Sequence, residues 1–307
     1  MRMRFAVKVM TLVVCLGMYG VPRVSAQVAE TLMPEESAKK AKHVLDQLID
    51  AMGGQAYLNT RESDCTGRLA QFEHNGDLSG YTNFRDYWHL PDKNRTEYEI
   101  KGAKGGFLGV LIGQIPFKGG TIIELYSGDD GWTMDKGGVS EQSQTNIIDF
   151  KEQTKRDMDN VLRFRLKEEG MLFRYGGQDL VDMKPVEWVE LVDREDRTFR
   201  LAVLQSSHLL ARSVVITRDE TTRERTEEIT AYGNYHLQGS VMAPLQVERR
   251  RDGRRLFQAF FDSCSFDTHL PADFFTKASL EKKYSESFSK KDRDKAAKQK
   301  EKEERNN

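Results

Sequence analysis

The sequence is most informative first in what it lacks. Apart from one stretch near its start, no run is long and apolar enough to be a membrane helix, and that stretch, Val9 to Val21, falls short of the roughly 20 residues a span needs. No charge of one sign dominates. The formal net charge is -1, and discounting the four positives of the first 26 residues (Arg2, Arg4, Lys8, Arg23) brings it near -5, which excludes nucleic acid as a partner. The six histidines (His43, His74, His89, His208, His236, His269) include no pair at metal-binding spacing, and there is no Cys-x-x-Cys. There is no nucleophile elbow, no phosphate-binding Gly-Lys-Ser/Thr loop and no zinc-protease helix motif. No catalytic residue, metal ligand or cofactor is therefore assigned. No internal repeat is visible.

What is present begins with an export signal. Arg2, Arg4 and Lys8 make a basic start, "VMTLVVCLGMYGV" an apolar core, and "VSA" (Val24 to Ala26) a small-residue cleavage site. The expected protein is periplasmic, and a lipid anchor at Cys15 is disfavoured because Val14 precedes it where a small residue is wanted. Residues 1–26 read as signal, 27–34 as linker, 35–280 as one folded domain and 281–307 as a charged tail, helical or disordered. Removing the signal leaves 281 of 307 residues, enough to bury roughly three quarters of the unfolded surface. It also leaves two cysteines, Cys65 and Cys264, which in an oxidising compartment either pair or stay as buried thiols.

Periodicity then divides the domain. Ala38, Ala41, Leu45, Leu48, Ile49 and Met52 recur at helical spacing and Gly53-Gly54 stops the helix. "SDCTGRLAQFEH", a turn at Asn75-Gly76 and "LSGYTNFRDYWH" read as a hairpin, continued by "RTEYEI", "TIIELYS" and "GWTMD". A second helix is expected within Asn146 to Glu169, with Ile147, Ile148, Met158, Val161, Leu162 and Leu166 on one face. Seven further strands follow, separated by short turns such as "REDR" and "RDGR", so neighbours are antiparallel. The fold class is α+β: a large curved antiparallel sheet forming a half-open β-barrel, covered by two or three helices.

Three stretches invite a functional reading. "GDDGW" (Gly128 to Trp132) lacks the spaced acids of a calcium loop and reads as a turn. "ERRRDGRR" (Glu248 to Arg255) reads as an Asp-Gly hairpin with arginines on its wet face. "FLGVLIGQIPF" (Phe107 to Phe117) is either a buried strand or a mobile lid exposing Phe107, Leu108, Leu111, Ile115 and Phe117 to a ligand or membrane. Trp88, Trp132 and Trp188 are candidate cavity lining, against ordinary core packing.

Taken in order, the helix ending in "AMGG", then "CTGRL", "LPDKNRTEYEI", "YSGDDGWTMD", "GQDLVDMKPVEWVELV", "LLARSVV" and "YGNYHLQGSVMAPLQVERRRDGRRLFQAFFDSCSFDTHLPADFF" resemble the periplasmic lipoprotein-carrier (LolA-like) superfamily, especially its outer membrane lipoprotein-sorting relatives. The resemblance spans roughly Glu35 to Phe275. It implies a half-open barrel whose apolar inside holds acyl chains, with "FDTHLPADFF" as its closing element. The implied function is an exported, non-enzymatic carrier or sensor that binds lipid or the acyl chains of a lipoprotein, with an inner- or outer-membrane partner possible. The alternative is an envelope sensor or assembly factor that binds a partner protein through its tail.

Overall fold

A computed structural model of the chain describes residues 32–72, 76–100, 120–218, 222 and 224–288. The signal-type segment, the stretch Phe107 to Phe117 and the tail from residue 289 lie outside the described residues.

Helix α1 (Pro34–Ala51) and the short α2 (Gln55–Asn59) lead into β1 (Glu62–Phe72), β2 (Leu78–His89), β3 (Lys93–Ile100), β4 (Gly120–Ser127), β5 (Asp130–Asp135) and β6 (Gly138–Glu141). A helical connector follows: α3 (Gln144–Arg156), α4 (Met158–Arg163) and a 3-10 turn (Arg165–Lys167). Seven more strands, β7 (Leu172–Val181), β8 (Lys184–Val192), β9 (Thr198–Leu204), β10 (Leu210–Arg218), β11 (Arg225–Gln238), β12 (Val241–Arg251) and β13 (Arg254–Phe266), precede α5 (Lys277–Ser287).

All thirteen strands form one sheet in the order β6-β5-β4-β3-β2-β1-β13-β12-β11-β10-β9-β8-β7. Consecutive strands pair within β1–β6 and within β7–β13, and most of them are joined by short connections that leave the antiparallel neighbour as the nearest partner. At the β12–β13 turn, for example, Asp252 and Gly253 both take positive φ (46° and 78°), the conformation a two-residue hairpin requires. The one long-range seam joins the first meander to the last: β1 lies against β13, with Cys65 opposite Cys264. A register shift falls there between Thr66 and Gly67. A Cβ on Gly67 would meet the Phe260 carbonyl oxygen at 2.4 Å, so glycine is needed for the two backbones to approach. β6 and β7 sit at opposite edges and do not pair, so the sheet stays open as a half barrel.

The main core explains why helices are needed. Leu45 and Leu48 of α1, both almost fully buried, pack with Val189, Leu191, Phe199 and Leu201 of β8 and β9 and with Val161 and Leu162 of α4. Since alternate residues of a strand point to opposite faces, this cluster defines the inner face of the sheet. A second cluster, Ile123, Leu125, Met134 and Leu280, puts α5 on the outer face.

Two expectations are corrected in detail. The helices expected to cover the sheet are present, and the described residues hold five α-helices. Of these, α2 and α4 are too short to carry a periodic apolar pattern. The helix expected within Asn146 to Glu169 is broken at Asp157, whose backbone is extended and whose side-chain Oδ1 caps α4 by accepting from the Asn160 N–H at 3.2 Å, and Ile148, expected on its apolar face, is exposed. In "ERRRDGRR" the arginines do not all face water: Arg249 points inward and pairs with buried Glu228. α5 runs on to Ser287, into the charged segment expected to be helical or disordered.

Candidate functional site

The inner face between the two halves of the sheet is the concave surface that the fold offers. Carrying the face across the ladder from β9 through Ser213, Thr230, Arg249 and Phe257 brings one row to the middle of the sheet. It continues through Ala259 and Phe261 of β13, Leu69 and Gly67 of β1, Phe84, Asp86 and Trp88 of β2, Tyr98, Thr96 and Asn94 of β3, and Ile122, Glu124 and Tyr126 of β4.

The β1–β4 part of this floor is aromatic. Phe84 and Phe261 meet edge to face at 5.4 Å. Phe150, reaching down from α3, stacks on Tyr126 at 4.4 Å and on Trp88 at 6.1 Å. Two carboxylates interrupt it. Asp86 accepts from Trp88 Nε1 (2.8 Å), Asn94 Nδ2 (2.9 Å) and Thr96 Oγ1 (2.7 Å), yet burial outweighs these donors and raises its pKa. Glu124 has no hydrogen-bond or ion-pair partner among the described residues, and burial alone pushes it up. An unpaired carboxyl beside Tyr98 and Tyr126 is costly while ionised.

The β11–β12 part is basic. Glu228, 5% exposed, is shared by Arg251 (3.0 Å) and Arg249 (3.5 Å). Arg249 also lies over the Phe257 ring at 5.1 Å. Arg156, at the end of α3, faces the same group and donates only to its own helix, from Nε to the Glu152 carbonyl at 3.1 Å. Burial, with Arg251 and Arg249 nearby, lowers its pKa. Beside it, burial and Asp159 push Asp157 up to about 6.

The connector that carries Phe150, Arg156 and Asp157 is tied at both ends of the opening. Lys151 pairs with Asp129 of the β4–β5 turn, Asn160 Nδ2 donates to the Pro91 carbonyl at 2.9 Å, and Arg163 donates to the Thr60 carbonyl at 2.6 Å while lying over the Tyr57 ring. On the other side Arg165 and Arg197 both reach Asp193 at 2.9 Å, and Arg197 reaches back to Glu152 at 3.0 Å. The connector therefore holds its side chains at fixed positions above the floor.

The residues expected at a ligand site separate. Trp88 lies on the inner face with Phe150. Trp132 lies on the outer face, against the cluster under α5. Trp188 is also on the outer face, packed with Val186, Ala202 and Val214 beneath Arg200. Phe107, Leu108, Leu111, Ile115 and Phe117 lie outside the described residues. Cys65 and Cys264 are joined in the structure. Phe84, Glu124 and Arg156 were not singled out from sequence, and Arg249 only as part of a hairpin with a wet face: alternation groups residues by face, but only the register says which face is inside.

A recess of about 470 Å³ opens on the outer face, lined by Asp182, Arg212, Ile229, Glu248 and Arg250. Its charges are internally paired, Arg212 with Asp182 and Arg250 with Glu248, so the inner face is the better candidate. Among the described residues no His, Cys, Asp and Glu group could hold a metal ion, and no helix is long and apolar enough to cross a membrane.

No family model and no curated protein matches the sequence. Solved structures do match in fold. A DUF1329 family protein from Desulfovibrio piger is 12% identical, with 78% of this chain and 98% of that one covered and a TM-score of 0.50. A protein described as an outer membrane lipoprotein-sorting domain, from Vibrio parahaemolyticus, is 10% identical over 80% and 99% of the two chains, with a TM-score of 0.48. A LolA superfamily protein from Nitrosomonas europaea is 13% identical over 78% and 99%, with a TM-score of 0.46. These likenesses concern fold alone: one antiparallel sheet left open as a half barrel, with helices laid across its inner face.

Proposed function

We propose that the chain is an exported, non-enzymatic carrier or sensor that binds an amphiphile, a lipid or the acyl part of a lipoprotein, on the inner face of its half barrel. The observation that carries the reading is the aromatic floor of Phe84, Phe261, Tyr98, Trp88 and Tyr126 on one face of an open sheet, with α3 fixed above it. Each covered methylene contributes about 0.8 kcal/mol, so about six covered methylenes offset the lower estimates of the association cost, on the order of 5 kcal/mol. Polar groups need only orient the head of the ligand. The stretch Phe107 to Phe117 is proposed as a lid or membrane contact, and Trp88 is retained as lining.

The test is organic extraction and mass spectrometry of the mature protein, residues 27–307, purified without detergent from its own export compartment. A stoichiometric acyl lipid supports the carrier and names its cargo. An empty protein that also takes up no fluorescent fatty acid overturns it, leaving partner binding, which truncation at Ser289 would abolish if the tail docks.

A further inference from the structure

The basic end of the inner face has more cation than its own carboxylates satisfy. Arg249 and Arg251 share one side chain, Glu228, at 3.5 Å and 3.0 Å. Asp159, the next acid along, is already held by Arg163 at 3.2 Å and by the Tyr57 hydroxyl at 2.7 Å. Asp157 spends its carboxylate on the α4 cap. Arg156, half-buried beside them, has no ion pair among the described residues and makes only its backbone contact to Glu152. A guanidinium offers five donors in a fixed fork and stays charged. Three of them turned toward one carboxylate leave donors that water or an anion must fill.

We infer that Arg156, Arg249 and Arg251 form a binding site for an anionic headgroup, a phosphate or carboxylate, at the rim of the inner face, and that the ligand is an anionic amphiphile. The inference rests on the amphiphile-binding reading. It adds polarity and direction: the chain of the ligand runs over Phe257 and Phe261 toward Phe84, while its head stays at the β11–β12 end, where Arg251 is partly open to solvent. Glu228 is a positioning residue. It holds the two strand arginines in place and keeps the site from being a bare cluster of like charge, and Thr230, which accepts from Arg249 Nε at 3.3 Å, fixes the second of them. The lowered pKa of Arg156 agrees with a cation under-compensated by its surroundings.

Binding of dodecyl phosphate, dodecanoate and the neutral dodecyl maltoside to the full mature chain, each below its micelle concentration, tests this. The expected result is that both anions bind about ten- to a hundred-fold more tightly than the neutral amphiphile, as charge-assisted hydrogen bonds give. Arg156→Gln should remove most of that preference. Arg251→Gln, at a more exposed position, serves if the first variant fails to fold. Equal affinity for charged and neutral amphiphiles, or a preference that survives both variants, overturns the headgroup site and leaves the carrier standing. Failure of all three to bind overturns both. Inorganic phosphate alone distinguishes the source: binding at least tenfold weaker than dodecyl phosphate assigns the site to a headgroup, and equal binding assigns it to a free anion.

Discussion

Replacing both Cys65 and Cys264 by alanine opens the disulfide that cross-links the two meanders, and its cost follows from chain length. The cysteines are 199 residues apart, so the bond closes a loop of nearly the whole domain. In the chain-entropy account a loop of about 200 residues loses roughly 18 cal/mol/K in the unfolded state, equivalent to about 5 kcal/mol at 25 °C. Residual structure in the denatured chain and the native ladder between β1 and β13 reduce what is realised, so the expected loss is about 3 to 5 kcal/mol. Urea denaturation of the oxidised protein, the reduced protein and the double variant measures it. With m of about 3 kcal/mol/M, the midpoint should fall by about 1 to 1.7 M. A fall of less than about 1 kcal/mol at unchanged m would refute the view that this seam depends on its cross-link. The reduced and double-variant proteins should agree, since both lack the same constraint.

Asp157→Asn keeps the α4 cap, because asparagine caps as well as aspartate, but removes a carboxyl whose folded pKa is raised to about 6. A raised acid favours the protonated folded state, so wild-type stability declines as pH rises from the ordinary carboxylate range through about 6. The variant should therefore gain thermal stability relative to wild type at pH 8 and little at pH 4, and a gain independent of pH would contradict the assignment. Leu48→Ala, at a fully buried position of α1, should cost about 2 to 5 kcal/mol in the same urea assay, and a loss below 1 kcal/mol would mean that α1 is not part of the main core. Phe274→Ala removes a ring lying over Arg95 at 4.4 Å and against Tyr87 at 4.8 Å. It should lower the melting temperature while leaving amphiphile binding on the opposite face unchanged. Leu111→Asp should weaken binding to lipid vesicles with the fold intact if the proposed lid holds, and a variant that only unfolds would favour a buried strand.

The closing stretch "FDTHLPADFF" separates what was legible from what was not. Its composition marked an end to the strand pattern, and the structure has Phe275 buried and Phe274 packed on Arg95 and Tyr87. That contact is on the outer face of the sheet, a distinction no local pattern holds.

The same division runs through the molecule. The sequence by itself determined the antiparallel class, the strand order within each meander, the helix at Pro34–Ala51 and the turns, because these rest on local periodicity and short connections. Only the tertiary structure decided that β1 closes against β13 and that Cys65 meets Cys264 across that seam. It likewise decided that Trp88 faces inward while Trp132 and Trp188 face outward, and that Arg156 from a helix meets Arg249 and Arg251 from a strand. Those relations join residues tens to hundreds of positions apart, and the pleat that alternates side chains says nothing of which face is inside until the helices have packed against one of them.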